Sequence, residues 1–423
     1  MSVADGETLR VAIDAQMPAR GTLGGVEQFT IGLVHALGKL DDGSEEYLIV
    51  VHRSNRDWLN PYLGSNQWTV PGPPSKFEAA KRLLGPFRIS AGKLWRFTQS
   101  LIRGLPEVTI PDSNGFYESL GVNVVHFPYQ HFVKCNLPIV YNPHDLQHLH
   151  YPQFFTEREL AARSVLYPAG CRSAHAVATL SSWVKGDIVR QYGIDPQKIY
   201  AIPFGVPTEL YGVVTPGLLK KIVHKFRLPL SFSFYPAQTW EHKNHLRLLE
   251  ALALLRDRNG LEIHLVCTGK QNDFWRIIKK RVYELRLQNQ VHFLGFVDAT
   301  ELRALYHLAQ FVIHPSLFEG GGLPILEGFR EGAPVACSNV TSLPEYAGDA
   351  ALYFDPTSVE SIADALCRMT TDVDLRESLR QRGVARVRQF TWERTAKTYR
   401  ALYRKVAGKK LSDEDRDLLK ETT

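Results

Sequence analysis

The sequence predicts an α/β protein built as two doubly wound, parallel-sheet halves. Its 423 residues are too many for one ordinary domain and comfortable for two of about 200. Short apolar runs alternate with amphipathic helical patterns along most of the chain, the grammar of parallel α/β architecture. Near the middle, Gly205, Pro207, Gly212, Pro216 and Gly217 cluster where no period is legible. That stretch, 206–228, reads as a hinge between a first domain at 1–205 and a second at 229–390.

Residues 9–14 read as the first strand, and Gly24 and Gly25 open a helix with Val26, Phe29, Leu33, Val34 and Leu37 on one face. Residues 47–51, 123–127, 139–142 and 176–180 read as further strands of the first half. A second series begins with a strand at 230–235. A helix at 244–258, a strand at 263–268, a helix at 273–287 and a strand at 291–296 follow. The series continues through a helix at 300–308 and strands at 311–314, 334–337 and 352–354. A last helical stretch, 391–410, is rich in Tyr, Leu and basic residues, and the charged tail 412–423 is expected to fray. Two doubly wound domains bind ligands at the carboxyl ends of their strands, here in the cleft expected between the halves.

Hydrophobic residues at 44% and charged residues at 22% describe a globular chain, and a formal charge of +6 is too mild to imply nucleic acid. The five cysteines are scattered, with no Cys-x-x-Cys pair, which argues against a disulfide or zinc framework and for a reducing compartment, the cytoplasm. The start, MSVADGETLRVAIDA, lacks the charged and apolar parts of a signal peptide, and no stretch approaches 18 apolar residues, so no membrane span is expected.

The most informative stretch runs from His314 to Glu345. Glu319 and Glu327 stand eight positions apart, with Gly320, Gly321, Gly322, Leu323 and Pro324 between them. A strand runs into this turn and a helix follows, with Pro324 suited to its first turn. Glycines let a ligand approach the backbone, and a helix N-terminus attracts an anion. Glu319 on the loop and Glu327 in the first helical turn can then face one pocket, a geometry that fits a phosphate ligand with hydroxyl-rich groups on either side. The same residues also fit a plain tight turn with a favourable first-turn acid.

The whole string resembles the retaining glycosyltransferases of family 4, whose fold is the GT-B fold and whose signature is Glu, seven residues, Glu. The family's usual form between the acids is Gly-Phe-Gly-Leu-Pro, and this chain has Gly321 where the aromatic stands. The resemblance covers nearly all of the chain. It implies that Glu327 binds the ribose hydroxyls of a nucleotide diphosphate sugar and Glu319 the transferred sugar. It also implies that Lys243, with the amides of Gly321, Gly322 and Leu323, binds the diphosphate. An arginine often stands five residues before the lysine in similar enzymes; here it is Gln238, which donates hydrogen bonds but no charge. His242, Arg20 or a helix dipole could substitute. In GT-B proteins the last helical segment crosses back onto the first domain.

In the first half, Gly24 and Gly25 fit either a tight turn or, by resemblance, backbone amides that approach the donor. His144, His148 and His150 follow the strand at 139–142. Their spacing matches no zinc motif, and the resemblance implies that His144 lies beside the donor sugar. No Asp-x-Asp occurs in a plausible loop, so diphosphate charge is expected to be met without a metal, and no cofactor is expected beyond the donor itself. Residues 76–104 carry seven basic side chains against Glu78, interleaved with Phe77, Leu84, Phe87, Leu94, Trp95, Phe97 and Leu101. Such a segment can lie on an anionic membrane, which would favour a lipid-linked acceptor and a place at the membrane's inner face, or pack on the first domain with a solvated basic face.

The expected function is therefore retaining hexosyl transfer from a nucleotide diphosphate sugar, of the GDP-mannose or UDP-glucose type, to a hydroxyl acceptor. The product would belong to polysaccharide, glycolipid or glycoconjugate synthesis. The alternatives are a sugar-nucleotide epimerase or a phosphorylase on the same fold, and a degenerate homologue that binds without turnover.

Overall fold

The computed structural model describes residues 8–17, 24–73, 108–206 and 212–422. The chain divides into two compact units, one of residues 1–179, 188–200 and 396–423, the other of residues 180–187 and 201–395. The division falls at 200/201 rather than across 206–228. The expected hinge instead contains a helix, Pro216–Phe226, capped by the Thr215 hydroxyl on the Leu218 amide. Pro216 and Gly217 are a helix start here, not a linker, because proline's missing N–H costs nothing in a first turn.

In the first unit the strands are β1 (Arg10–Ala15), β2 (Glu46–Val51), β3 (Gln67–Pro71), β4 (Val124–Phe127), β5 (Ile139–Tyr141), β6 (Ala176–Thr179) and β7 (Ile199–Ala201). They form a sheet in the order β3-β2-β1-β4-β5-β6-β7, parallel at β1–β2 and β1–β4 among its pairs. The order reverses between β1 and β4, which is where an open α/β sheet leaves room for a ligand. The sequence reading missed the two outer strands. β3 is an edge strand of mixed polar and apolar residues ending in proline, and β7 is an apolar strand only three residues long.

The helix Gly25–Gly38 buries Phe29, Leu33, Val34 and Leu37, as its period requires, but leaves Val26 half-exposed. The helix Trp392–Val406 spans both units in sequence, and the first unit takes it from Ala396 onward. There Tyr399 and Tyr403 join a buried polar chain. Tyr403 donates to His126 Nδ1 (2.7 Å), His126 Nε2 donates to Asn142 Oδ1 (2.8 Å), and Asn142 Nδ2 donates to the Tyr399 hydroxyl (2.6 Å). Burial pushes His126 down to about 3, so its ring is neutral and the chain needs no charge.

The tail does not fray. Asp413–Lys420 is a helix opened by a capping box between Ser412 and Asp415. Asp415 is buried and pairs with Arg404 (3.0 Å), which also pairs with Glu45 (2.7 Å), and Leu419 is buried. The run of charges that suggests a solvated tail is one half of an ion-pair network.

In the second unit β8 (Ser233–Pro236), β9 (Leu265–Thr268), β10 (Val291–Phe293), β11 (Phe311–His314), β12 (Val335–Ser338) and β13 (Ala351–Phe354) form a sheet in the order β10-β9-β8-β11-β12-β13. Several expected strands are shorter than their apolar runs: Leu230 and Phe296 are exposed beside β8 and β10. The order reverses between β8 and β11, which pair in parallel. No helix among the described residues is long and apolar enough to cross a membrane.

The Arg404–Asp415 pair makes the last helix a stability element of the first unit. Burial works to raise the Asp415 pKa, but the hydrogen bonds from Ser412 and Arg404 outweigh it and hold it below 3.8. A depressed carboxylate stabilises above its unfolded pKa and loses that contribution as pH falls through its folded value. Asp415→Ala should lower unfolding stability at pH 7 by about 1–3 kcal/mol. Urea midpoints measured from pH 7 downward should show the deficit closing below about pH 4.

Candidate functional site

The loops that leave β8 and β11, the two strands at the switch point of the second sheet, carry Gln238, Lys243 and Glu319. After β8 the chain makes a short turn, Glu241–Lys243, and reverses at Asn244, whose φ is +60°. The helix His245–Asn259 follows. Asn244 tolerates that left-handed conformation because its buried side chain is used: Nδ2 donates to the Pro315 carbonyl (2.9 Å) and the Pro356 carbonyl (2.8 Å). The Leu317 amide donates to the His242 carbonyl (2.8 Å), and Tyr235 donates its hydroxyl to the Lys243 carbonyl (2.6 Å). Two loops from neighbouring strands are thus stitched together through buried donors.

Lys243 and Glu319 meet where the loops join. Nζ lies 2.5 Å from Glu319 Oε1, and His314 Nε2 lies 3.1 Å from the same oxygen. The side chains of the pair are 16% and 14% exposed. Burial alone would raise the Glu319 pKa, but the Lys243 charge and the His314 hydrogen bond hold it well below the ordinary carboxylate range. The backbone of Glu319 is fixed as well: its N–H donates to Thr341 Oγ1 (3.1 Å) and its carbonyl accepts from Ser342 Oγ (2.8 Å).

Past the glycines the helix Leu323–Arg330 begins, with Pro324 in its first turn and no side-chain cap among the described residues. The Ile325 and Leu326 amides donate to the Gly322 carbonyl (3.1 Å each), and the positive end of the helix dipole lies at Gly322 and Leu323, where an anion is favoured. Glu327 is not in the first turn but one turn later; it is buried, and Tyr306 donates to its Oε2 at 2.8 Å. The structure joins Lys243, Glu319 and His314 directly, and places Glu327 on the helix that follows.

Two glycines of the motif are required by packing. A Cβ at Gly322 would stand 2.6 Å from Tyr346 Cγ, and one at Gly321 would stand 2.8 Å from Phe204 Cε1 and 3.3 Å from Leu180 Cδ1. The family's aromatic at position 321 has no room here, because the Phe204 ring, packed on Tyr346 at 5.5 Å, occupies the space.

Gln238 is half-buried and its Oε1 accepts from the Trp240 indole N–H (2.9 Å). His242 does not supply the charge that Gln238 lacks: burial and the neighbouring Lys243 push it down to about 3. Arg20, the other side chain considered for that role, lies outside the described residues, as does the basic segment 76–104.

In the first unit Gly24 caps its helix with a φ of +54°, which explains a glycine there, whereas a Cβ at Gly25 would meet nothing within 4 Å. His144 also has a left-handed backbone, at φ +65°. It is buried, stands edge-on to Phe29 (5.3 Å), and its Nε2 donates to the Pro128 carbonyl at 2.7 Å. Burial pushes it down to about 4, so the ring is neutral with a lone pair on Nδ1 that can accept from a hydroxyl. The three histidines do not converge. His148 packs on Tyr167 (4.9 Å) and His150 is exposed.

His314, Phe204, Tyr306 and Asn244 were not assigned roles from sequence. A histidine ending an apolar strand five residues before a carboxylate is a signal that reading could have used. Phe204 has none, since its contact with Gly321 depends on tertiary packing.

Comparison with known proteins adds to this geometry. The family model described as "Glycosyl transferases group 1" matches residues 223–386, and that described as "Glycosyltransferase Family 4" matches residues 23–210. The O-antigen chain mannosyltransferase B of Escherichia coli is 31% identical over 226 residues, covering 52% of this chain and 58% of that protein. The MMP alpha-(1->4)-mannosyltransferase of Mycolicibacterium hassiacum is 27% identical over 239 residues, 56% of this chain and 55% of that protein. The match to each therefore spans just over half of its length. Among solved structures, sucrose-phosphate synthase from Thermosynechococcus elongatus superposes with a TM-score of 0.69 at 20% identity, covering 95% of this chain and 99% of that one. HepE of Anabaena, in complex with UDP and glucose, gives 0.67 at 16% identity, covering 93% and 99%. Both show the same fold.

Gly321→Phe should cost about 1–3 kcal/mol of stability through overpacking against Phe204. Combined with Phe204→Ala, the new ring should fill the space that the old one leaves, so the double variant should be more stable than the sum of the two single losses predicts. Urea denaturation of the four proteins checks this, and simple additivity would show that the two positions do not share the space.

Proposed function

With this chain a member of the GT4-type glycosyltransferases of the GT-B fold, we propose that it moves a hexose from a nucleotide diphosphate sugar to a hydroxyl acceptor with retention of configuration. The observation that carries the reading is the Lys243–Glu319 pair at the switch point of the second sheet, followed directly by an uncapped helix start. A cation beside a helix N-terminus suits a diphosphate, and carboxylates on either side suit hydroxyls.

In this reading Lys243 and the amides of Gly321, Gly322 and Leu323 neutralise the departing diphosphate, with Gln238 as a neutral donor. Glu327 accepts from the ribose hydroxyls and Glu319 from the transferred hexose. As the glycosidic bond breaks, charge grows on the β-phosphate, so donors fixed beforehand lower the barrier more than they tighten the ground state. The leaving phosphate takes the acceptor's proton on the same face, so the protein supplies position and charge and no general base. Neither metal nor cofactor takes part. The five free cysteines fit a cytoplasmic setting. The donor is of the GDP-mannose or UDP-glucose type, and the acceptor a saccharide or a lipid-linked sugar, the latter if residues 76–104 meet an anionic membrane.

A homologue that binds without turnover is the second reading. Its support is that Gln238 brings no charge and His242 is neutral.

Incubating the protein with GDP-mannose or UDP-glucose, with and without saccharide and lipid-linked acceptors, should release free nucleoside diphosphate, undiminished by excess chelator. Release that chelation abolishes and manganese or magnesium restores would contradict the metal-free account, and tight binding without release would favour the second reading. Glu327→Ala should weaken donor binding by about 1.5–3 kcal/mol, the value of a hydrogen bond to a charged group. Glu319→Ala should lower kcat more than donor affinity. Equal, small effects of both would contradict the assignment.

A further inference from the structure

We infer that His314 is a positioning residue that keeps the Glu319 carboxylate held and partnered when Lys243 turns to the donor diphosphate. This rests on the transferase reading and gives a role to a side chain that reading leaves out.

His314 ends β11 and is fully buried. Its Nε2 and Lys243 Nζ reach the same oxygen, Glu319 Oε1, at 3.1 and 2.5 Å. A carboxylate only accepts, so Nε2 carries the proton; Ser316 Oγ stands 3.3 Å from the same nitrogen. Nδ1 is then a bare lone pair, buried with no hydrogen-bond partner among the described residues. Protonating the ring would bury a second N–H with no acceptor, which burial disfavours. The histidine is therefore a neutral, single-purpose donor aimed at Glu319.

The ring is also fixed. It stands edge-on to Tyr235 (5.8 Å, 76°), whose hydroxyl donates to the Lys243 carbonyl (2.6 Å). One rigid wall thus supports both the carboxylate and the backbone of the lysine. An ion pair needs only one donor on Oε1, and this oxygen has two. The need for the second arises when a diphosphate competes for Lys243, because a buried carboxylate stripped of its only partner is strongly unfavourable. With His314 in place Lys243 can leave, Oε1 stays bonded, and Oε2 is left to accept from a hexose hydroxyl.

The test is calorimetric titration of the full chain with GDP-mannose, UDP-glucose, GDP and UDP. His314→Phe fills the ring's volume without a donor and should lower affinity for the sugar nucleotide that the native protein binds by about tenfold, the scale of one hydrogen bond to a charged group. His314→Gln, whose amide N–H reaches toward the Nε2 position, should recover to within about threefold of native. In a Glu319→Gln background, where no charge is left to support, His314→Phe should change nothing further. Thermal unfolding of each variant separates a folding defect from a lost contact. The inference is overturned if His314→Phe binds like the native protein, if its loss persists in the Glu319→Gln background, or if Gln fails to rescue. Native protein that binds none of the four probes would instead overturn the transferase reading and this inference with it.

Discussion

Lys243 and Glu319 are held 2.5 Å apart with most of their surface withdrawn from water, and the second unit's site is arranged around the cost of that pairing. Removing two charges from water costs several kcal/mol each, and their attraction repays it only when geometry is tight and further donors are supplied. The further donor is His314, and tightness comes from stitching the loop after β8 to the loop after β11. Asn244 to Pro315 and Pro356, and the Leu317 amide to His242, fix the backbone on both sides of the pair. Such a pair adds little to stability. What it does is present a cation and an anion at a set distance at the point where the sheet order reverses.

From that constraint the rest of the unit follows. The switch point between β8 and β11 puts both loops at the carboxyl edge of the sheet, and the glycines let the next helix start close behind Glu319. Phe204 and Tyr346 pack against those glycines, so the turn cannot accept a larger residue without moving the wall behind it. Tyr306 holds Glu327 one turn down the helix. The first unit uses a different device: neutral rings, His126 and His144, are locked by hydrogen bonds to Tyr403, Asn142 and Pro128.

Much of this was legible in the sequence, for physical reasons that differ by element. Strands buried on both faces, such as β9 and β11, begin as apolar runs, Leu265–Cys267 and Phe311–Ile313. The motif around Glu319 is local, so its letters sit together. What failed to show depended on partners far along the chain. β3 is an edge strand in which polar and apolar residues mix, so no clean run marks it. The helix Pro216–Phe226 hid behind a proline and a glycine that look like a linker, and the helix Asp413–Lys420 behind charges whose partners, Arg404 and Lys397, come earlier in the sequence. The glycine at 321 is a departure from the family's form whose cause, Phe204, no local reading could find. His314 was written in the same string as Glu319, but only the fold shows its ring turned onto the carboxylate.

We propose one exchange of partners, in which Lys243 leaves Glu319 for a donor diphosphate while His314 stays. A crystal structure of the protein soaked with GDP-mannose or UDP-glucose tests it most directly. The predicted result has Lys243 Nζ within hydrogen-bond distance of a β-phosphate oxygen, Glu327 on the ribose hydroxyls, and His314 Nε2 still on Glu319 Oε1. A bound nucleotide with Lys243 still paired to Glu319 and its phosphates held elsewhere would contradict it.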